Sequence, residues 1–203
     1  MERFVYAFLI ALTNNFDNIG ARIAYSIRGI RISTLINLWI SVITFVISFG
    51  AASSGKILSG SLGKQLSSII AMLLLAAIGS WMILEPYVQR WRNQKGSSDN
   101  SQNIGDILLN PENADVDNSK HIDFKEATVL GIALSLNNIG GGLSAGMLGL
   151  DAFLVGFLSA VLSFVALWAG NYISAFFIRL NIADKATVAA GVILIAIGIE
   201  QIM

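Results

Sequence analysis

Two short stretches decide how this chain folds: Asp17-Asn18-Ile19-Gly20 and Asn137-Asn138-Ile139-Gly140. Each lies inside a long and otherwise apolar segment. A carboxylate and several amides are costly to hold at membrane depth, so their presence there marks a working site. Each copy falls in the first apolar segment of a three-segment half. That is the arrangement of a duplicated transporter whose site lies between its repeats.

The surrounding sequence agrees. The 203 residues are 55% hydrophobic and only 13% charged, with a mean hydropathy of +0.69. A soluble domain needs more charge than this to cover its surface. Six stretches, 4–27, 34–52, 68–88, 126–148, 152–173 and 185–202, come close to the ~20 apolar residues that a spanning helix requires. No strand-like alternation competes with them, so the expected fold is an all-α membrane protein of six transmembrane helices and not a barrel. The first stretch has polar residues at its middle and no small-residue cleavage site, and reads as a retained helix. With a net charge of zero and no basic stripe, nucleic acid is not an expected partner. The absence of cysteine excludes thiolate metal sites, disulfides and thiol relays.

Aligning Asn18 with Asn138 sets an offset of 120 residues, at which Gly29 meets Gly149 and Gly50 meets Gly170. With slips of one residue, Lys64 meets Lys185 and Ala77-Ile78-Gly79 meets Ala196-Ile197-Gly198. Three helices are an odd number, so the second half enters the membrane from the opposite face and the pair forms two inverted three-helix repeats. The expected divisions are 1–92 for the first repeat, 93–123 for a polar linker and 124–203 for the second repeat. Arg3, Lys56 and Lys64 lie on one side; Arg28, Arg31, Arg90, Arg92, Lys95, Lys120, Lys125, Arg179 and Lys185 lie on the other. The second group marks the cytoplasm, which places a multi-pass protein in the cell (inner or plasma) membrane with both termini outside.

On the first helix Asn14, Asp17, Asn18, Ala21 and Tyr25 share one face at i, i+3, i+4 spacing. On the fourth, Asn137 and Asn138 lead into Gly140, Gly141 and Gly142, which allow close helix approach or local unwinding that offers carbonyl oxygens. One carboxylate among amide oxygens is a hard-oxygen set suited to Mg²⁺, Ca²⁺ or Mn²⁺. The expected transport ligands are Asp17, Asn14, Asn18, Asn137 and Asn138. The bland alternative is that the amides only bond helix to helix and that Asp17 pairs with Arg22. Arg22 itself is expected to reach the cytoplasmic surface. Ser41, Thr44, Ser48, Ser159 and Ser163 read as packing and hydrogen-bonding residues, Glu85 as an interfacial acid and Glu200 as a solvent-exposed acid at the tail of helix 6, both being weak candidates for proton coupling.

The linker carries a second pattern. Asp115, Asp117, Ser119 and Asp123 occupy positions one, three, five and nine of a twelve-residue EF-hand-like loop, His121 position seven and Glu126 position twelve. Ile122 is apolar at position eight, as packing of such loops requires. Lys120 stands where glycine normally makes the sharp turn. The expected ligand is Ca²⁺, held by Asp115, Asp117, Ser119, His121, Asp123 and Glu126. The alternative is a solvated acidic linker in which Asp123 caps helix 4. Glu126 is eleven residues before Asn137, about 16 Å along a helix, so an ion here would pull on the second motif.

Asn15-Phe16-Asp17-Asn18-Ile19-Gly20, Tyr25-Ser26-Ile27-Arg28-Gly29-Ile30-Arg31, Asp115–Glu126 and Ala133-Leu134-Ser135-Leu136-Asn137-Asn138 together resemble the MntP-type manganese efflux family. That family lies within the LysE-like exporters, and the resemblance is nearest its YtaF branch of sporulation membrane proteins. It implies an acid in each of helices 1 and 4: Asp17 matches the first, while Asn137 replaces the second and lowers the site's charge by one. The function expected is export of divalent cations, Mn²⁺ foremost, by alternating access around an Asp/Asn site, with no enzymatic step. The competing readings are a non-transporting, sporulation-associated membrane scaffold and an exporter of another solute such as Ca²⁺ or an amino acid.

Overall fold

The computed structural model describes residues 2–16, 18–19, 21–22, 25, 30–94, 114–115, 119–180, 192, 195–197 and 199. Five helices are complete within them: α1 (Glu2–Asn14), α2 (Thr34–Leu62), α3 (Lys64–Gln94), α4 (Phe124–Met147) and α5 (Ala152–Leu180). No strand forms among the described residues, which hold only an isolated parallel bridge between Arg31 and His121. Two helical stretches, Thr34–Leu62 and Ala152–Ala169, are long and apolar enough to cross a membrane.

Local chemistry fixes the helix ends. Ser33 caps α2 by accepting from the Ile36 amide at 3.3 Å, and Gly63 at φ 77° reverses the chain directly into α3. Asp123 and Glu126 form a reciprocal capping box at the start of α4, with bonds of 2.8 and 3.1 Å. At its far end Gly149 takes φ 74°, the Leu150 amide bonds the Ala145 carbonyl and the Gly149 amide bonds the Gly146 carbonyl, a Schellman ending. Asp151 then caps α5 by accepting from the Leu154 amide at 2.8 Å.

Several expected boundaries change. The first stretch is not one uninterrupted helix: α1 gives way to a turn at Asn15, and helical residues resume at Phe16. α2 extends ten residues beyond 52, and α3 and α5 are also longer than hydropathy alone indicates. At 29 residues α2 is about 43 Å long, more than the ~30 Å hydrocarbon layer. The glycines at 140–142 stay within regular helix, so they serve close approach and not unwinding.

Contacts along the helices give their relative directions. On α2 and α4, Trp39 Nε1 donates to Thr128 Oγ1, Thr44 bonds Ser135, and Gly55 abuts Leu143, so register rises together and the two run parallel. α1 and α5 are also parallel: Ala7 and Ile10 share a cluster with Ala152 and Val155, and Asn18 bonds Ser163. α2 and α5 are antiparallel, Asn37 bonding the Phe164 carbonyl while Phe49 lies against Gly156. An edge-on contact of Phe45 with Phe153 closes that seam.

Burial is inverted relative to a soluble protein. Val42, Val46, Leu73, Phe153, Phe157 and Trp168 face outward, while Asn14, Asn15, Asn18, Arg22, Asn37 and Asn138 are buried. Water as solvent would sort these residues the other way, whereas lipid favours what is seen. Two apolar clusters close the bundle. One contains Tyr25, Ile32, Ile36, Ile40, Leu130 and Leu167; the other contains Ala7, Ile10, Leu75, Ala145, Val155 and Ile197. The buried amides and hydroxyls lie between them.

Candidate functional site

Between the clusters a chain of hydrogen bonds crosses four helical segments. Asn18 Nδ2 donates to Asn15 Oδ1 at 3.0 Å and to Ser163 Oγ at 2.9 Å. Thr44 Oγ1 lies 3.4 Å from Ser163 Oγ and 3.0 Å from Ser135 Oγ. The bar therefore runs Asn15–Asn18–Ser163–Thr44–Ser135, and all five residues are buried. Each bond of this kind inside a membrane contributes about 0.6–2 kcal/mol.

The expected ligands divide around this bar. Asn14, Asn18 and Asn138 are buried in one layer, and the Asn14 amide lies directly against Gly141 of α4. The first-helix face is as expected, since Ala21 and Tyr25 are buried with Asn14 and Asn18. Asn137, beside Asn138, is only half-buried. Asp17 lies outside the described residues, and so does Asp117 of the linker loop. Among the described residues no three acidic or histidine side chains converge on a common point.

Two features escaped the sequence reading. Arg22 does not reach the surface: it is 3% exposed, and its Nε and Nη1 have no hydrogen-bond partner among the described residues. It sits one turn from Asn18, so helix geometry carries it inward with the polar face. Asn15 and Ser135 form the two ends of the bar, which Thr44 and Ser163 join as the hydrogen-bonding residues expected of them. On α2 the signal was present as Asn37, Ser41, Thr44 and Ser48, a polar stripe at helical spacing along one face of an apolar segment.

In the linker loop Asp123 caps α4, as the acidic-linker alternative expects. Both carboxylate oxygens of Asp115 accept backbone amides, from Ser119 and Lys120, each at 3.1 Å. Lys120 adopts φ 62°, the left-handed turn expected of position six. The Ile122 amide donates to the Arg31 carbonyl and the Arg31 amide to the Lys120 carbonyl, at 3.3 and 2.8 Å, tying the loop to the connection before α2. Ser119, Lys120, His121 and Asp123 are exposed, whereas Asp115 and Glu126 are buried. Because a left-handed non-glycine residue costs about 1–2 kcal/mol, Lys120→Gly is expected to stabilise the protein by about 1 kcal/mol. A melting temperature at or below wild type would show that the turn carries no such strain.

The family described as "Mntp: Putative manganese efflux pump" matches residues 30–202. The matched span takes in α2 to α5 and leaves the Asp17 motif outside. The "Probable sporulation protein YtaF" of Bacillus subtilis (strain 168) is 25% identical over 203 residues, covering 96% of this chain and 97% of that protein. No solved structure matches the chain.

Proposed function

This chain belongs to the Mntp family, the one described as manganese efflux pumps, and on that premise we propose that it exports divalent cations, Mn²⁺ foremost, across the cell membrane. The observation that carries the proposal is the polar layer sealed between two apolar clusters inside a bundle whose outer face is apolar. The ion leaves the cytoplasm and exchanges part of its water for the Asp17 carboxylate and the amide oxygens of Asn14, Asn18, Asn137 and Asn138. These are hard donors that suit Mn²⁺, Mg²⁺ and Ca²⁺.

The fold in this reading has six spanning helices in two inverted repeats, divided at 1–92, 93–123 and 124–203, with both termini outside. The parallel pairs α2–α4 and α1–α5 support it. Alternate crossing gives helices 2 and 4 one direction and helices 1 and 5 the other, and an inverted repeat exchanges the two pairs. The bar supports it as well: at the 120-residue offset Asn15 corresponds to Ser135, its two ends, while Thr44 and Ser163 meet near its middle. The halves rock about this layer to open it to one face and then the other.

The linker loop is proposed as a weak Ca²⁺ site formed by Asp115, Asp117, Ser119, the His121 carbonyl, Asp123 and Glu126. Its tie to Arg31 and the place of Glu126 at the start of α4 would let the ion act on the helix that carries the second motif. Transport should respond to Ca²⁺ in the wild type and lose that response in the Asp115→Ala, Glu126→Ala double variant. Identical Ca²⁺ titrations of the two proteins would remove this role.

Flux into proteoliposomes, with Mn²⁺, Ca²⁺, Mg²⁺ and Cd²⁺ offered in parallel, tests the main proposal. Mn²⁺ is expected to move fastest, and no flux of any of the four would end it. A second reading, a sporulation-associated scaffold, draws on the name of the B. subtilis relative and on the bar as a helix lock. It requires no flux at all.

A further inference from the structure

α1 and the turn after it, α2, α4 and α5 supply the bar through Asn15 and Asn18, Thr44, Ser135 and Ser163. The same four segments each present a further polar side chain about one turn from their bar residues: Asn14, Ser48, Asn138 and Ser159. On α2 and α4 this second residue follows the bar residue, at 48 after 44 and 138 after 135. On the α1 segment and α5 it precedes, at 14 before 18 and 159 before 163. Because those two segments run opposite to α2 and α4, all four displacements point the same way, toward the cluster containing Ala7, Leu75 and Ile197.

These four side chains are as enclosed as the bar itself. Asn14 is 2% exposed, Asn138 and Ser159 1%, and Ser48 0%. Asn14 Oδ1, Ser48 Oγ, Ser159 Oγ and both Asn138 amide atoms find no hydrogen-bond partner among the described residues. A helix lock satisfies its polar groups, as the bar does for its three hydroxyls. Unmet buried oxygens converging at one level are the mark of a place that receives something.

We infer that Ser48 and Ser159 complete the proposed transport site, joining its ligands Asn14 and Asn138 in a ring of neutral oxygens, one turn beyond the bar, through which the divalent cation passes with part of its water shell on its way out. The inference rests on the export reading above and adds two hydroxyl ligands to its site. With no formal charge, the ring does not strip a doubly charged ion of all its water. Its hydroxyl and amide oxygens bind the ion directly or accept from its retained waters, while the Asn138 Nδ2 group orients one of them. A carboxylate at this level would hold the ion. Neutral oxygens let it leave.

The test uses the full chain in proteoliposomes, with Mn²⁺ as the probe, and the Ser48→Ala, Ser159→Ala double variant. Both hydroxyls lack protein partners, so the double variant is expected to fold with an unchanged or higher melting temperature. Mn²⁺ flux should fall about tenfold, the cost of the two lost hydroxyls, while the Mn²⁺ concentration giving half-maximal thermal stabilisation, set by Asp17, moves less than about twofold. Ser48→Thr, which keeps the hydroxyl, should retain flux. Wild-type flux in the double variant would overturn the inference and leave a ring that holds water only. Absence of divalent flux from the wild type would instead end the export reading, and this one with it. Should the double variant aggregate, Ser48→Asp decides. A carboxylate in the ring should tighten Mn²⁺-dependent stabilisation about tenfold and slow export, and no change in either would overturn the site.

Discussion

Exchanging Asp17 for asparagine is expected to cut Mn²⁺ flux about 100-fold or more while the protein remains folded. The substitution keeps size and hydrogen-bonding capacity but removes the single formal negative charge that either Asp17-Asn18-Ile19-Gly20 or its counterpart Asn137-Asn138-Ile139-Gly140 supplies. Replacing a charge by a dipole opposite a divalent ion forfeits several kcal/mol, and each 1.4 kcal/mol is a factor of ten. The flanking residues Asn14 and Asn18 are 2% and 1% exposed. The scaffold reading expects the opposite, because asparagine bonds across helices as well as aspartate does. Flux and melting temperature measured on the same preparation separate the two: preserved flux in Asp17→Asn would sink the transport site.

The largest structural effect is expected at Gly146. A side chain there would fall on the Ala52 carbonyl oxygen of α2 and within 2.8 Å of the Lys56 backbone nitrogen. On the facing helix a side chain at Gly55 would strike the Leu143 carbonyl. These are backbone-to-backbone approaches, with no flexible side-chain end able to move aside. Small residues let parallel helices in a membrane come this close, and Gly142 and Gly146 supply the spacing on α4. Overpacking a well-filled interface costs about 1–3 kcal/mol for a modest increase in volume. Gly146→Leu is therefore expected to abolish the monodisperse species in detergent, and Gly146→Ala to lower the melting temperature. Gly60→Ala is the matched control, since nothing lies within 4 Å of its added carbon. Equal melting temperatures for Gly146→Leu and wild type would show that α2 and α4 do not pack this closely.

Much of this architecture was legible in the residues because hydropathy and helical period report directly on lipid and on helix faces. The Asp123 cap of α4, held as the alternative to an ion-binding loop, and the buried face through Asn14, Asn18 and Tyr25 were legible from spacing, whereas the helix starts at Phe124 and not at 126. Helix lengths did not, because hydropathy marks where lipid ends, whereas α2 continues to Leu62 through Ser53, Ser54 and Lys56. The burial of Arg22 was hidden for a related reason: a long side chain near a helix end can run outward or inward, and only its neighbours decide. Thr44 and Ser163 read as hydrogen-bonding residues, but their partners were not legible, because a hydroxyl in a membrane helix can bond its own preceding turn. Thr44 does so at 3.1 Å to the Ile40 carbonyl, and still reaches two other helices. Which hydroxyls join across helices is a property of crossing geometry, which no single segment encodes.

The apolar clusters at either end have an electrical consequence. A bundle closed by apolar clusters on both sides of its polar middle offers no unbroken file of water among the described residues, so on the export reading protons and sodium do not leak through it. Voltage-clamped bilayers containing it should stay silent, with no unitary currents, so that its presence would not drain a membrane potential.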